Sequence, residues 1–94
     1  HEGWVYIMTN KPRGTLYVGV TSNLARRIWE HREGLADGFT KRHGLKLLAY
    51  TEHHDLISQA IQREKITKHW PRAWKVKLVL TINLKWHDLY ETIT

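Results

Sequence analysis

Residues 4–20 read WVYIMTNKPRGTLYVGV, and this stretch decides the fold. Trp4-Val5-Tyr6-Ile7-Met8 is rich in β-branched and aromatic residues, which fit a pleated, half-buried strand. Thr9 to Thr15 (TNKPRGT) collects Asn, Pro and Gly, a turn signal seven residues long. Leu16-Tyr17-Val18-Gly19-Val20 reads as a second strand, so the two segments form a hairpin. Gly19 offers no side chain to pack, which suggests that another group approaches closely there.

Downstream, Thr21-Ser22-Asn23 is a cluster of helix N-cap residues and Gly34 suits the C-terminal end. Leu24, Ile28, His31 and Leu35 follow i, i+4, i+7, i+11, the spacing of one helix face. His31 lies on that stripe and Arg27 sits one turn earlier beside it. Residues 36–45 (ADGFTKRHGL) form a polar, glycine-bracketed loop that exposes Lys41, Arg42 and His43. Lys46 to His53 reads as a third strand. Asp55 can cap a second helix running to about His69, where Pro71 ends it. Its stripe of Ile57, Ala60, Ile61 and Glu64 puts a carboxylate where the spacing expects an apolar residue. Trp70, Trp74, Leu78 and Ile82 give a last helix near Pro71, with a strand left open by the β-branched Val76 and Val79, and Trp86, Leu89 and Tyr90 pack back on the body. The pattern is ββαβα plus a C-terminal helix: an α+β domain with a small three-stranded antiparallel sheet. No repeat or linker interrupts it, so residues 3–94 are one domain, with His1 and Glu2 left outside the argument.

Composition narrows the function classes. Ninety-four residues bury only a limited core, and with no cysteine there is neither a disulfide nor a thiolate metal site. This suits a reducing, cytoplasmic setting. No apolar run approaches a membrane span and no leader precedes the first strand. Fifteen Lys and Arg against nine Asp and Glu give a net charge of +6, which favours a polyanionic partner through counterion release. Lys11, Arg13, Lys41, Arg42 and Lys46 are candidates for a DNA-facing rim, or simply a solvated face.

Phosphodiester cleavage needs a base for water, a cation against the phosphate charge and stabilisation of the leaving oxygen. Tyr6 and Tyr17 on one hairpin, Arg27 and His31 on one helix face, and an inward Glu64 supply those residue types. Each also has a plainer reading. The tyrosines would be strand aromatics, Arg27 a partner of Glu30, and His31 a core histidine. Glu64 would be paired with Arg27 or Arg63. The three tryptophans at 70, 74 and 86 read as core.

These residues, in this order, resemble the GIY-YIG nuclease family. Trp4-Val5-Tyr6 and Tyr17-Val18-Gly19 correspond to its two name motifs, with ten residues between the tyrosines. Asn23-Leu24-Ala25-Arg26-Arg27 resembles the segment that carries its arginine. Arg27 and His31 form the Arg-x-x-x-His of its small members. Ala60-Ile61-Gln62-Arg63-Glu64 resembles the segment with its metal-binding glutamate, and the likeness spans residues 4–75. It implies Tyr6 as general base assisted by Tyr17 or His31, Arg27 as phosphate clamp, and Glu64 as sole protein ligand for Mg²⁺ or Mn²⁺. It also implies DNA as partner, no small-molecule cofactor, and a monomer or weak dimer. Trp4 departs from the motif's first glycine. Val76 stands where many members have asparagine, which leaves open whether Asn83 substitutes. The alternatives are a catalytically inactive nucleic-acid-binding module or, less favoured, a protein-interaction domain.

Overall fold

The computed structural model describes residues 1–36 and 38–94. Position 37, inside the glycine-bracketed loop, lies outside the described residues. The elements are β1 (Gly3–Thr9), β2 (Leu16–Thr21), α1 (Leu24–Arg32), α2 (Phe39–Arg42), β3 (Leu47–His54), α3 (Ile57–Lys68) and α4 (Arg72–Leu80), followed by a 3₁₀ turn (Leu89–Thr92). The strands form one antiparallel sheet in the order β2-β1-β3. The α+β architecture expected from the sequence is thus present, with α2 added inside the expected loop.

Because β1 is central and covered on both faces, Val5, Tyr6, Ile7 and Met8 are all buried. Side chains alternate along a strand, so these four divide between two cores. Val5 and Ile7 join Val18, Tyr50, Ala60 and Val79 under α3 and α4. Tyr6 and Met8 join Leu24, Ile28, Leu45 and Leu48 under α1, where Leu89, Tyr90 and Ile93 of the C-terminal tail also pack. Leu48 and Tyr50 would share a face in a regular strand. They occupy opposite cores because a register shift between Ile7 and Met8 leaves Ala49 without a partner on β1.

The structure corrects five expectations. Asp55 does not cap α3: its N-cap is Leu56, with no side-chain bond, and the Ile57 N–H donates to the His1 carbonyl at 2.6 Å. His1 therefore belongs to the fold, as does Glu2, which meets His53 Nε2 at 2.7 Å. Leu35 lies beyond α1 and is 64% exposed. Ile61 is also exposed, because α3 buries Ala60 and Thr67 instead. On α4 the tryptophan stripe is the outer face. Trp74 is 55% exposed and Ile82 54%, while Val79 is fully buried and Val76 packs beneath it. Two large rings cannot enter so small a core. They pack edge-to-face on each other, with Arg63 over Trp70, and only Trp86 of the three is buried.

The hairpin register puts Tyr6 opposite Gly19 and Met8 opposite Tyr17. A Cβ on Gly19 would come closer than 3.0 Å to the Tyr6 ring and hydroxyl. The Tyr6 ring therefore leans across β2 through the space that glycine leaves. Gly19→Ala should cost about 1–3 kcal/mol, since the buried phenol has nowhere to move without breaking its bonds. Urea denaturation checks this, and an unchanged midpoint would show that the ring is free to swing aside.

Candidate active site

Tyr6 is buried, yet its hydroxyl ends in a polar cluster. It lies 2.8 Å from His31 Nε2, and His31 Nδ1 lies 2.9 Å from Thr40 Oγ1. His31 and Thr40 are each 3% exposed, so these two members are shielded from bulk solvent. Burial, and then the Arg27 cation, push His31 down to about 4, so its ring is neutral near pH 7. Burial likewise pushes the Tyr6 phenol up to about 12. Arg27 opposes that rise, while Tyr17 and Glu64 add to it. Tyr6 thus feels both the guanidinium and the carboxylate.

The α1 helix sets the cation and the imidazole. Asn23 caps it by accepting from the Arg26 N–H, and Leu24 and Ile28 anchor it in the core. Four residues apart, Arg27 and His31 then face the hairpin together. Arg27 Nη1 bonds Glu30 Oε1 at 3.1 Å, so the plain pairing with Glu30 exists alongside the approach to Tyr6. Burial works against the Arg27 charge, but its bonds to Tyr6 and Glu30 win and its pKa rises.

Glu64 arrives from the other layer. Arg63, one residue earlier, bonds Glu52 of β3 at 3.1 Å and packs against Trp70. That contact fixes the rotation of α3 and leaves Glu64 facing the exposed edge of β2. Its side chain is only 14% exposed, and its ion pair is with Lys68 at 3.6 Å. The expected structural partners are otherwise engaged: Arg27 with Glu30, Arg63 with Glu52. Lys68 also lies 5.9 Å from the centre of the Tyr17 ring. Tyr17 is half-buried, its ring 6.4 Å from Tyr6 and 5.8 Å from His31.

Tyr6, Tyr17, Arg27, His31 and Glu64 are therefore neighbours around the β2 edge. Among the described residues no three His, Asp or Glu side chains group into a metal cage. A lone carboxylate suits a hard cation that keeps most of its water, as Mg²⁺ does, and does not suit Zn²⁺. Asn83 is not part of this cluster. It is 4% exposed and its amide is used up on the far edge of the sheet, donating to the Ala49 and His87 carbonyls and accepting from the His87 N–H. Val76 is core, so neither position supplies the amide that the family pattern carries.

Lys11, Arg13, Lys41, Arg42 and Lys46 are all exposed. Lys41 and Arg42 ride on α2 beside Thr40, while the Arg13 carbonyl is held by Arg72 at 2.6 Å. Thr40 is the member of the cluster that the sequence reading missed. The available signal was the glycine bracket: Gly38 and Gly44 both take positive φ, 83° and 64°, which lets one tight helical turn fold inward between them.

A family model described as the GIY-YIG catalytic domain matches residues 2–77. A UPF0213 protein of Natronomonas pharaonis is 38% identical over 78 residues, covering 83% of this chain and 91% of that one. One from Staphylococcus saprophyticus is 34% identical over 76 residues, covering 81% and 92%. The solution NMR structure of a UPF0213 protein from Bacillus halodurans superposes with a TM-score of 0.55 at 30% identity, covering 98% of this chain and 94% of that one.

Proposed function

The chain belongs to the GIY-YIG family of nuclease-type catalytic domains, and on that premise we propose that it is a divalent-metal-dependent endonuclease that hydrolyses a phosphodiester bond in DNA. The observation that carries the reading is the meeting of Tyr6, Arg27, His31 and Glu64 at one edge of the sheet.

In the tautomer with its proton on Nδ1, neutral His31 would donate to Thr40 Oγ1 and leave Nε2 to accept the proton of Tyr6. Tyr6 in turn takes a proton from the attacking water. An unperturbed phenol is a poor base at pH 7, and burial makes this one poorer still. Arg27 opposes that by favouring the phenolate, and its planar fork holds two oxygens of the scissile phosphate. Glu64 would hold Mg²⁺ or Mn²⁺. When bound, that ion supplies charge to stabilise the departing 3′-oxygen, and it also favours the Tyr6 phenolate. Thr40 is a positioning residue: by holding Nδ1 it orients the His31 ring with Nε2 towards Tyr6.

Exposed Lys41 and Arg42 add a sequence-independent attraction for the backbone. In the described residues no helix is long and apolar enough to cross a membrane. A pure binding module would gain nothing from a shielded carboxylate that repels phosphate, which weighs against the inactive alternative. The purified protein should nick supercoiled plasmid when Mg²⁺ or Mn²⁺ is supplied and stop when it is chelated. Arg27→Ala should remove the activity in the same preparation. Nicking that persists in chelator, or in the Arg27 variant, would sink the proposal.

A further inference from the structure

Beside Tyr17 the surface opens into a cleft of ≈ 310 Å³ lined by Leu16, Tyr17, Val18, Phe39, Lys68 and Lys75. That is enough room for a phosphate and part of its sugar. Its wall on one side is aromatic: Tyr17 and Phe39 are stacked, with centroids 6.3 Å apart, and His43 lies against Phe39 at 4.3 Å. The other side carries two ammonium groups from different helices, brought together by the turn at Pro71.

The two lysines are not equivalent. Lys68 is shared between the Glu64 carboxylate and the Tyr17 ring. Lys75 is half-buried and, among the described residues, makes no ion pair. Holding a lysine stem partly out of water beside another cation, with no acid to offset it, is unfavourable. An anion in the cleft removes that cost. No carboxylate is among the residues lining the cleft, and Lys75 is its cation without an ion pair among the described residues.

We propose that this cleft is a subsite for the DNA phosphate flanking the scissile one, held between Lys68 and Lys75 with its sugar resting on the Tyr17–Phe39 stack. The inference rests on the nuclease reading for the identity of its ligand. Tyr17 belongs to both sites, which makes the cleft a direct continuation of the catalytic cluster along one strand. Lys68, drawn onto that phosphate, would leave Glu64 free for its cation. The flanking contact and the metal site are thereby linked through a single side chain.

The test is equilibrium binding of a labelled DNA oligonucleotide in chelator, where no cleavage intrudes, at several salt concentrations. Lys75→Gln should lower the slope of log affinity against log salt by about 0.9, the value of one lost phosphate contact. The Lys68→Gln/Lys75→Gln double variant should lose close to twice that. Lys77→Gln is the charge-matched control, because Lys77 is two residues along α4 and outside the cleft; its slope should equal that of the wild type. If Lys75→Gln and Lys77→Gln behave alike, only bulk charge matters and the subsite does not exist. A wild type that nicks plasmid while Lys75→Gln keeps the full slope would remove the subsite and leave the nuclease reading standing. A Lys75-specific slope change in a wild type that never nicks would do the reverse.

Discussion

Glu64→Gln should lower the Mg²⁺-dependent nicking rate by roughly a thousandfold, the scale of losing one principal source of transition-state charge stabilisation, with little change in stability. The substitution keeps the shape of the side chain and removes only its charge. Its one ion pair, to a Lys68 that is 53% exposed, spans 3.6 Å, and such pairs contribute about 0–1 kcal/mol. The fold should not register the loss. The metal response should, because among the described residues Glu64 belongs to no group of three or more such ligands that could hold the ion without it. Titration of Mn²⁺ followed by tyrosine or tryptophan fluorescence should show saturable binding in the wild type and none in the variant. Undiminished cleavage with an unchanged metal requirement would mean that the carboxylate merely neutralises Lys68.

Tyr6→Phe should cut the rate by about 10²–10⁴-fold, the usual range for removing a general base, and should also be felt by the fold. The phenol hydroxyl is the partner of His31 Nε2 at 2.8 Å in a buried setting. Leaving that nitrogen unsatisfied costs about 1–3 kcal/mol. The pair also predicts an acid limb in stability. The folded pKa of His31, about 4, lies below its ordinary 6.5. The unfolded chain therefore takes up the proton first as pH falls. Stability is fully present above pH 6.5 and is lost progressively towards 4. Urea midpoints measured across that window should fall in the wild type and stay flatter in His31→Gln. If Tyr6→Phe nicks at the wild-type rate, the proton is removed by another group, and Tyr17 or His31 itself becomes the base.

Most of this cluster could be read from the chain because it rests on short-range geometry. A turn read at Thr9 to Thr15, and formed by residues 10–15 because Thr9 still pairs with Leu16, brings the tyrosine strands side by side, and the observed register sets Tyr6 against Gly19. The α-helical repeat puts Arg27 and His31 together, and a carboxylate interrupting an apolar stripe marked Glu64. What escaped depended on contacts between distant segments. Thr40 is buried only because two glycines with positive φ turn a polar loop inward. The face of α4 was misread because its spacing fits two stripes, and the smaller valines, rather than the tryptophans, fit the space under the sheet. No local pattern could show that the His1 carbonyl would serve α3 where Asp55 stood ready. The same holds for the approach of Lys68 to the Tyr17 ring, which depends on how α3 packs on β2, whereas its i,i+4 pairing with Glu64 is local.

The bulge at Ala49 has a consequence for how the molecule keeps to itself. Asp88 accepts from the Leu48 N–H and Asn83 donates to the Ala49 carbonyl, while Arg32 holds Asp88 in place. Two side chains thus imitate the backbone of a fourth strand along the outer border of β3, using up hydrogen-bonding groups that a neighbouring copy would otherwise recruit. Trimming the tail would uncover that border and invite edge-to-edge pairing, at the opposite rim of the sheet from the chemistry. Asp88 and Asn83 thus occupy part of the β3 border, while the β2 margin lies beside the candidate site.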